Sequence, residues 1–164
     1  MKAKNSTSYA NDSYFMGRAL AEAKNAEKKG EVPVGAVVVA GGKIISRGHN
    51  EPIRCSDPTA HAEIIAIRRA CRKVGNYKLQ NCDLYVTLEP CAMCLGAMIQ
   101  ARIRKLYFGA KDPKAGAVVS IMKFPFEKTN HRIIVQGGIS AKECGQILKE
   151  FFRQKRGSNS PRRI

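Results

Sequence analysis

Residues 83–109, DLYVTLEPCAMCLGAMIQARIRKLYFG, set the architecture. Residues 83–87 and 105–109 are short runs rich in apolar and aromatic residues, and both read as strands. Between them residues 92–101 are apolar nearly all round, the pattern of a buried helix. The same alternation extends in both directions. Residues 34–40 are a β-branched run, Gly41-Gly42 a two-residue turn and residues 43–48 a partner strand, so together they read as a β-hairpin. Ahead of it Ser13 can cap a helix with Met16, Ala19, Leu20, Ala23 and Ala26 at helical spacing, ended by Gly30. After a turn-rich loop, residues 50–59, an apolar stripe of Ala60, Ile64, Ile67 and Cys71 marks another helix. Arg68, Arg69, Arg72 and Lys73 lie off that stripe, and Gly75 stops the helix. Residues 132–136 read as a further strand. Ser140 with Glu143 forms a capping box for a last helix, with Cys144, Ile147, Leu148, Phe151 and Phe152 on one face. A hairpin followed by helix–strand alternation predicts an α/β fold, a mixed sheet with helices on both faces in three α/β/α layers.

At 164 residues the chain has the length of one domain. A chain of that size buries roughly 70% of its unfolded surface, so it needs neither disulfides nor metal merely to fold. No repeat and no linker divides it. Residues 1–12 are polar and residues 153–164 basic, and both ends read as frayed. Lys and Arg number 29 against 13 Asp and Glu, a net charge of +16. That surplus points to a polyanionic partner, nucleic acid before membrane, with a basic surface kept for solubility as the bland alternative. No apolar leader opens the chain and no stretch is long enough to cross a membrane, so the cytoplasm is the expected compartment. In a reducing compartment the 6 cysteines are expected to bind metal, do chemistry or fill the core rather than pair.

Two segments carry chemistry: His61-Ala62-Glu63 and Pro90-Cys91-Ala92-Met93-Cys94. Each is weak alone. A CxxC pair can be a redox dithiol or half of a zinc ribbon, and a lone histidine is more often a core or capping residue than a ligand. Together they are stronger. Cys91 and Cys94 share a face on a helix and can reach one ion. His61 and Glu63 sit about 200° apart in mid-helix, and converge only near a helix N-terminus. Both segments follow Pro-containing loops and precede apolar helical runs. Two helix N-termini can then meet at one spot, where their dipoles favour thiolate and developing negative charge. One His and two Cys without an obvious fourth side chain describe a catalytic zinc site with a position open to water. Zinc lowers the pKa of such a water from 15.7 to about 7, and Glu63, a carboxylate that does not ligate, can carry its proton.

These segments match the H-x-E…P-C-x-x-C signature of the zinc-dependent nucleobase deaminases. Beyond the signature, residues 31–37, 57–63, 84–91 and 97–99, with Asn130-His131-Arg132, resemble the bacterial tRNA-specific adenosine deaminases of the cytidine deaminase-like superfamily. The likeness runs from about Tyr14 to Phe152. It implies a central mixed five-stranded sheet and a deaminase domain over residues 13–156, between a flexible start, residues 1–12, and a basic tail, residues 157–164. It also implies deamination of the wobble adenosine to inosine, with a tRNA anticodon stem-loop as partner, a homodimer with RNA crossing its boundary, one Zn²⁺ per subunit on His61, Cys91 and Cys94, and Glu63 as the proton shuttle. Asn50, helped by the backbone N–H of Ala62, would bond the base. Val32 and Pro33 would line the pocket, and Asp112 would lie near the ribose. The sequence departs from the family pattern at His49, where relatives carry an aromatic residue such as Trp, and at Phe124-Pro125-Phe126.

Basic residues recur at positions 68–78, 101–114 and 140–164, as an RNA partner requires. Phe151 is expected in the core, and Phe152 is the residue on that helix that could stack on a base. Tyr77, Tyr85 and Tyr107 read as packing residues, His131 as structural, and Cys55, Cys71, Cys82 and Cys144 as small hydrophobes. Three rival readings share parts of the pattern: a deaminase of free cytidine or guanine, a zinc-stabilised RNA-binding protein without catalysis, and a dithiol oxidoreductase. The last two leave Glu63 without a role.

Overall fold

The structure, a computed structural model, describes residues 6–158. Residues 1–5 and 159–164 lie outside the described residues, while residues 6–12 and 153–158, expected to fray, are helical. Three strands run in the order the apolar runs suggest: β1 (Gly35–Ala40), β2 (Lys43–His49) and β3 (Cys82–Leu88). Two more, β4 (Lys105–Ala110) and β5 (Ile134–Gly137), complete a single sheet in the order β2-β1-β3-β4-β5. β1 is antiparallel to both of its neighbours, whereas β3, β4 and β5 are parallel to one another. The sheet is therefore mixed and five-stranded, as expected.

Alternation along the strands decides which helices cover which face. Ala36, Val38, Leu84, Val86, Leu106 and Phe108 point to a core shared with α3 (Ala62–Val74) and α4 (Ala92–Gln100). Val37, Val39, Tyr85 and Tyr107 point the other way, to α1 (Ser6–Lys28) and α5 (Ala141–Ser158). Tyr85 and Tyr107 stack there with ring centroids 4.3 Å apart, and the Tyr85 hydroxyl donates to Asp12 Oδ1 at 2.7 Å. Among the described residues no helix is long and apolar enough to cross a membrane.

Several local expectations are corrected. Helix α1 starts at Ser6 rather than at a Ser13 cap, through a polar stretch that lacks a strong stop and whose Asp12 is tied to Tyr85 of β3. The loop after β2 holds a short helix, α2 (Pro52–Cys55), started by the proline at its first turn. Ser140 takes φ 51°, a left-handed conformation unlike the extended backbone of a capping residue, so the capping box does not form. Helix α4 buries Cys94, Leu95, Met98 and Ile99 but leaves Ala92 and Met93 exposed, so it is not buried all round. Tyr77 and Cys55 are exposed rather than packed.

The close approach of β2 to α3 depends on Gly48. A Cβ there would lie 2.4 Å from the Ala62 carbonyl oxygen and 2.7 Å from the Ala66 nitrogen, both backbone atoms that cannot swing away. Gly48→Ala is therefore expected to destabilise the fold by about 1–3 kcal/mol through overpacking, read as a lowered urea midpoint with unchanged slope.

Candidate active site

The sheet's parallel half brings the strand ends of β3 and β4 together, with Leu88 paired to Ala110. Glu89, Pro90 and Cys91 leave β3 at that edge, where crevices open in α/β sheets. Cys91 is the N-cap of α4 with extended backbone, φ −77° and ψ 173°. His61 is the N-cap of α3, also extended, at φ −75° and ψ 153°. Both residues stand just outside their helices, the condition under which His61 and Glu63 can face one point.

The side chains converge. His61 Nδ1 lies 3.7 Å from Cys91 Sγ and 3.5 Å from Cys94 Sγ. All three donor atoms fall within 4.8 Å of one another. Two donors held about 2.0–2.3 Å from a tetrahedral ion would stand roughly 3.5–3.8 Å apart, so the spacing fits such an ion. The donor chemistry fits as well, since two thiolates and an imidazole suit a borderline-soft divalent cation. Hydrogen bonding from Cys94, then from His61, draws the Cys91 thiol down to about 4 against the opposing effect of burial. The same bond to Cys91, together with burial, pushes Cys94 upward. A divalent ion bound here would require both sulfurs as thiolates.

Glu63 lies in the first turn of α3, 4% exposed, facing His61 and the two cysteines. Burial raises its carboxyl to about 7, more than the favourable effects of its backbone N–H and of His61 can offset. It is not one of the three clustered donors.

The expected substrate residues divide. Asn50 is buried, and its Oδ1 accepts the Ala62 N–H at 2.9 Å. That bond occupies the Ala62 donor and leaves the Asn50 amide NH₂ as the group free to meet a base. The Asn50 N–H donates to the Val34 carbonyl at 3.1 Å, which sets half-buried Val32 and buried Pro33 on the strand entry beside it. The half-buried Asp112 accepts the N–H groups of Lys114 at 2.9 Å and Ala115 at 3.2 Å through Oδ1, leaving Oδ2 available. Phe152 is 45% exposed on the outer side of α5, while Phe151 is buried, with the two rings edge to face at 5.4 Å. The apolar stripe of α5 therefore ends short of Phe152.

Two groups carry no sequence pattern that marks them. His49 is buried, with Nδ1 2.8 Å from Glu22 Oε2 and Nε2 3.2 Å from Glu51 Oε1. It ties α1 to the strand end that carries Asn50, and its partners stand 27 and 2 positions away, a spacing that signals nothing on its own. Glu89 is also buried, one residue before Pro90. A charged residue closing an apolar strand was the signal available.

Most basic side chains on the surface are uncompensated. Among the described residues only Lys29, Arg54, Arg68 and Arg104 stand within ion-pair distance of a carboxylate, apart from His49. Arg69, Arg72, Lys73, Lys149, Arg153, Lys155 and Arg156 are exposed.

Over residues 10–156 the chain matches the MafB19-like deaminase family. It is 49% identical to the tRNA-specific adenosine deaminase of Agrobacterium fabrum over 148 residues, which cover 90% of this chain and 97% of that one. A solved structure from work on A-to-I editing by tRNA:A34 deaminases at the wobble position of transfer RNA superposes with a TM-score of 0.77 at 47% identity, covering 82% of this chain and 99% of the other. A guanine deaminase from Bacillus subtilis is similar at a TM-score of 0.60 and 31% identity, covering 92% of this chain and 98% of that one.

Proposed function

The chain belongs to the tRNA-specific adenosine deaminases within the MafB19-like deaminase family, and from that membership we propose that it converts adenosine to inosine at the wobble position of a tRNA anticodon, with one zinc ion per subunit. A tRNA adenosine deaminase is a hydrolase: water and adenosine become inosine and ammonia. The observation that carries the finer reading is the donor triangle of His61, Cys91 and Cys94 with the buried, non-ligating Glu63 against it.

Held by His61, Cys91 and Cys94, zinc would leave one position for water and bring that water's pKa close to 7. The rest of the work falls to side chains. The adenosine leaves the anticodon stack, at a cost of a few kcal/mol that is smallest for a loop base. The Asn50 amide NH₂ donates to the purine, and Val32 and Pro33 flank it. Glu63 takes one proton from the attacking water and delivers it to the ring nitrogen beside C6 as the water oxygen bonds to C6. Glu63 then takes the proton left on that oxygen and passes it to the amine, so the C6 carbonyl forms as the C6–N bond breaks and ammonia leaves. Burial of Glu63 keeps bulk water from competing for that proton.

A fold shared with a guanine deaminase does not choose the substrate. The closer likeness to tRNA deaminases and the unpaired basic surface favour RNA over a free base. The same reading carries a homodimer with RNA crossing its boundary. Phe152, exposed on basic α5, would stack on an unpaired base, and Asp112 would approach the ribose. A tRNA substrate and 6 free cysteines fit the cytoplasm.

Incubation with a tRNA anticodon stem-loop, and separately with free adenosine, guanine and cytidine, tests this reading by ammonia release. Ammonia is expected from the stem-loop alone, and ammonia from a free base alone would overturn it. Six phosphate contacts would weaken stem-loop binding about 10³-fold between 50 and 200 mM salt, and binding indifferent to salt would contradict the RNA surface.

A further inference from the structure

Glu89 is 2% exposed and belongs neither to the donor triangle nor to the proton path. Its carboxylate gathers one loop. Oε1 accepts the N–H groups of Val118 at 3.1 Å, Val119 at 2.7 Å and Ser120 at 2.9 Å. Oε2 accepts the Asp112 N–H at 3.0 Å and the Ser120 hydroxyl. No Lys or Arg pairs with it among the described residues, so backbone N–H groups and the Ser120 hydroxyl carry its charge.

Main-chain bonds on either side fix the same junction. The Glu89 N–H donates to the Ala110 carbonyl at 2.8 Å, and the Ala117 N–H donates to the Pro90 carbonyl at 2.9 Å. Gly116 lets the loop close round the carboxylate: a Cβ there would stand 2.4 Å from Glu89 Cδ and 2.6 Å from the Asp112 carbonyl oxygen. The loop so held begins where β4 ends and carries Asp112. The strand end it is held to delivers Cys91.

We infer that Glu89 is a positioning residue that clamps residues 112–120 against the Cys91 strand end and so fixes the wall of the site that meets the substrate. This rests on the reading above that RNA enters beside Asp112. Charge-assisted bonds from several amides give such a clamp both strength and direction.

Glu89→Gln tests it with little change of shape. The glutamine oxygen still accepts from residues 118–120, but its NH₂ faces the Asp112 N–H, donor against donor. Amides at 112 and 118–120 are expected to exchange at least about tenfold faster, with those of β3 and α4 unchanged. KM for the stem-loop should rise about tenfold while kcat stays within about threefold, with one zinc per chain retained. Gly116→Ala displaces the loop from the other side and should give the same pattern. The exchange measurement decides whether Glu89 holds the loop even if wild-type chain proves inactive on RNA, in which case only the substrate reading fails. Unchanged exchange at those amides would overturn the inference. So would faster exchange with unchanged KM, or kcat and zinc falling together at constant KM.

Discussion

Glu63→Ala is expected to lower turnover by about 10²–10⁴-fold while the purified protein still carries one zinc per chain. The two halves of that result have separate causes. Glu63 is not among the three donor atoms clustered within 4.8 Å, so its removal leaves the metal ligands in place. It is the one buried carboxylate facing them, and both proton transfers in the proposed reaction pass through it. Stability should move the other way. Burial raises the Glu63 carboxyl to about 7, which means the ionised form is disfavoured where it sits. A Glu63→Gln chain of the same shape should therefore melt no lower than wild type and still be inactive, the usual opposition between function and stability at a site. A Gln variant that melts far below wild type would assign Glu63 a structural role instead.

Cys91→Ala should abolish activity by losing the metal. His61 and Cys94 would remain as a pair of ligands, too few to hold zinc through purification, and metal content should fall below about one tenth per chain. The chain should still fold. The sheet is covered on both faces by buried apolar side chains, with half-buried Cys91 only at the margin of one cluster, so the fold does not depend on metal as a zinc finger does. The melting temperature should drop, because a ligand that binds only the native state stabilises it by mass action. Adding zinc should raise the melting temperature of wild type stripped of metal but not that of Cys91→Ala. A variant that retained a full equivalent of zinc would place the ion elsewhere.

Much of this was legible in the sequence because the relevant signals are local. β-branched runs and apolar stripes placed the five strands, and helical spacing placed α3 and α5. The site was legible for the same reason: two motifs, each behind a proline-containing loop, open two helices, and His61 and Cys91 do take extended backbone at those N-caps. What was not legible depends on tertiary partners. Helix α1 begins ahead of Ser13, where Asp12 meets Tyr85 of β3, and the exposed side of α4 is as apolar as its buried side. Phe152 sits on the sequence stripe of α5, yet it stands 45% exposed beside a buried Phe151. His49 meets Glu22 from 27 positions earlier, and the donors to Glu89 come from residues 23–31 positions later in the chain. Two-residue patterns cannot announce contacts of that range.

The decisive measurement is nucleoside analysis of a tRNA anticodon stem-loop after incubation with wild type and with Glu63→Ala, both carrying zinc. Inosine should appear at the first anticodon position with wild type and be absent with the variant. Inosine formed equally by the two proteins, or no inosine from a zinc-loaded wild type, would contradict the account.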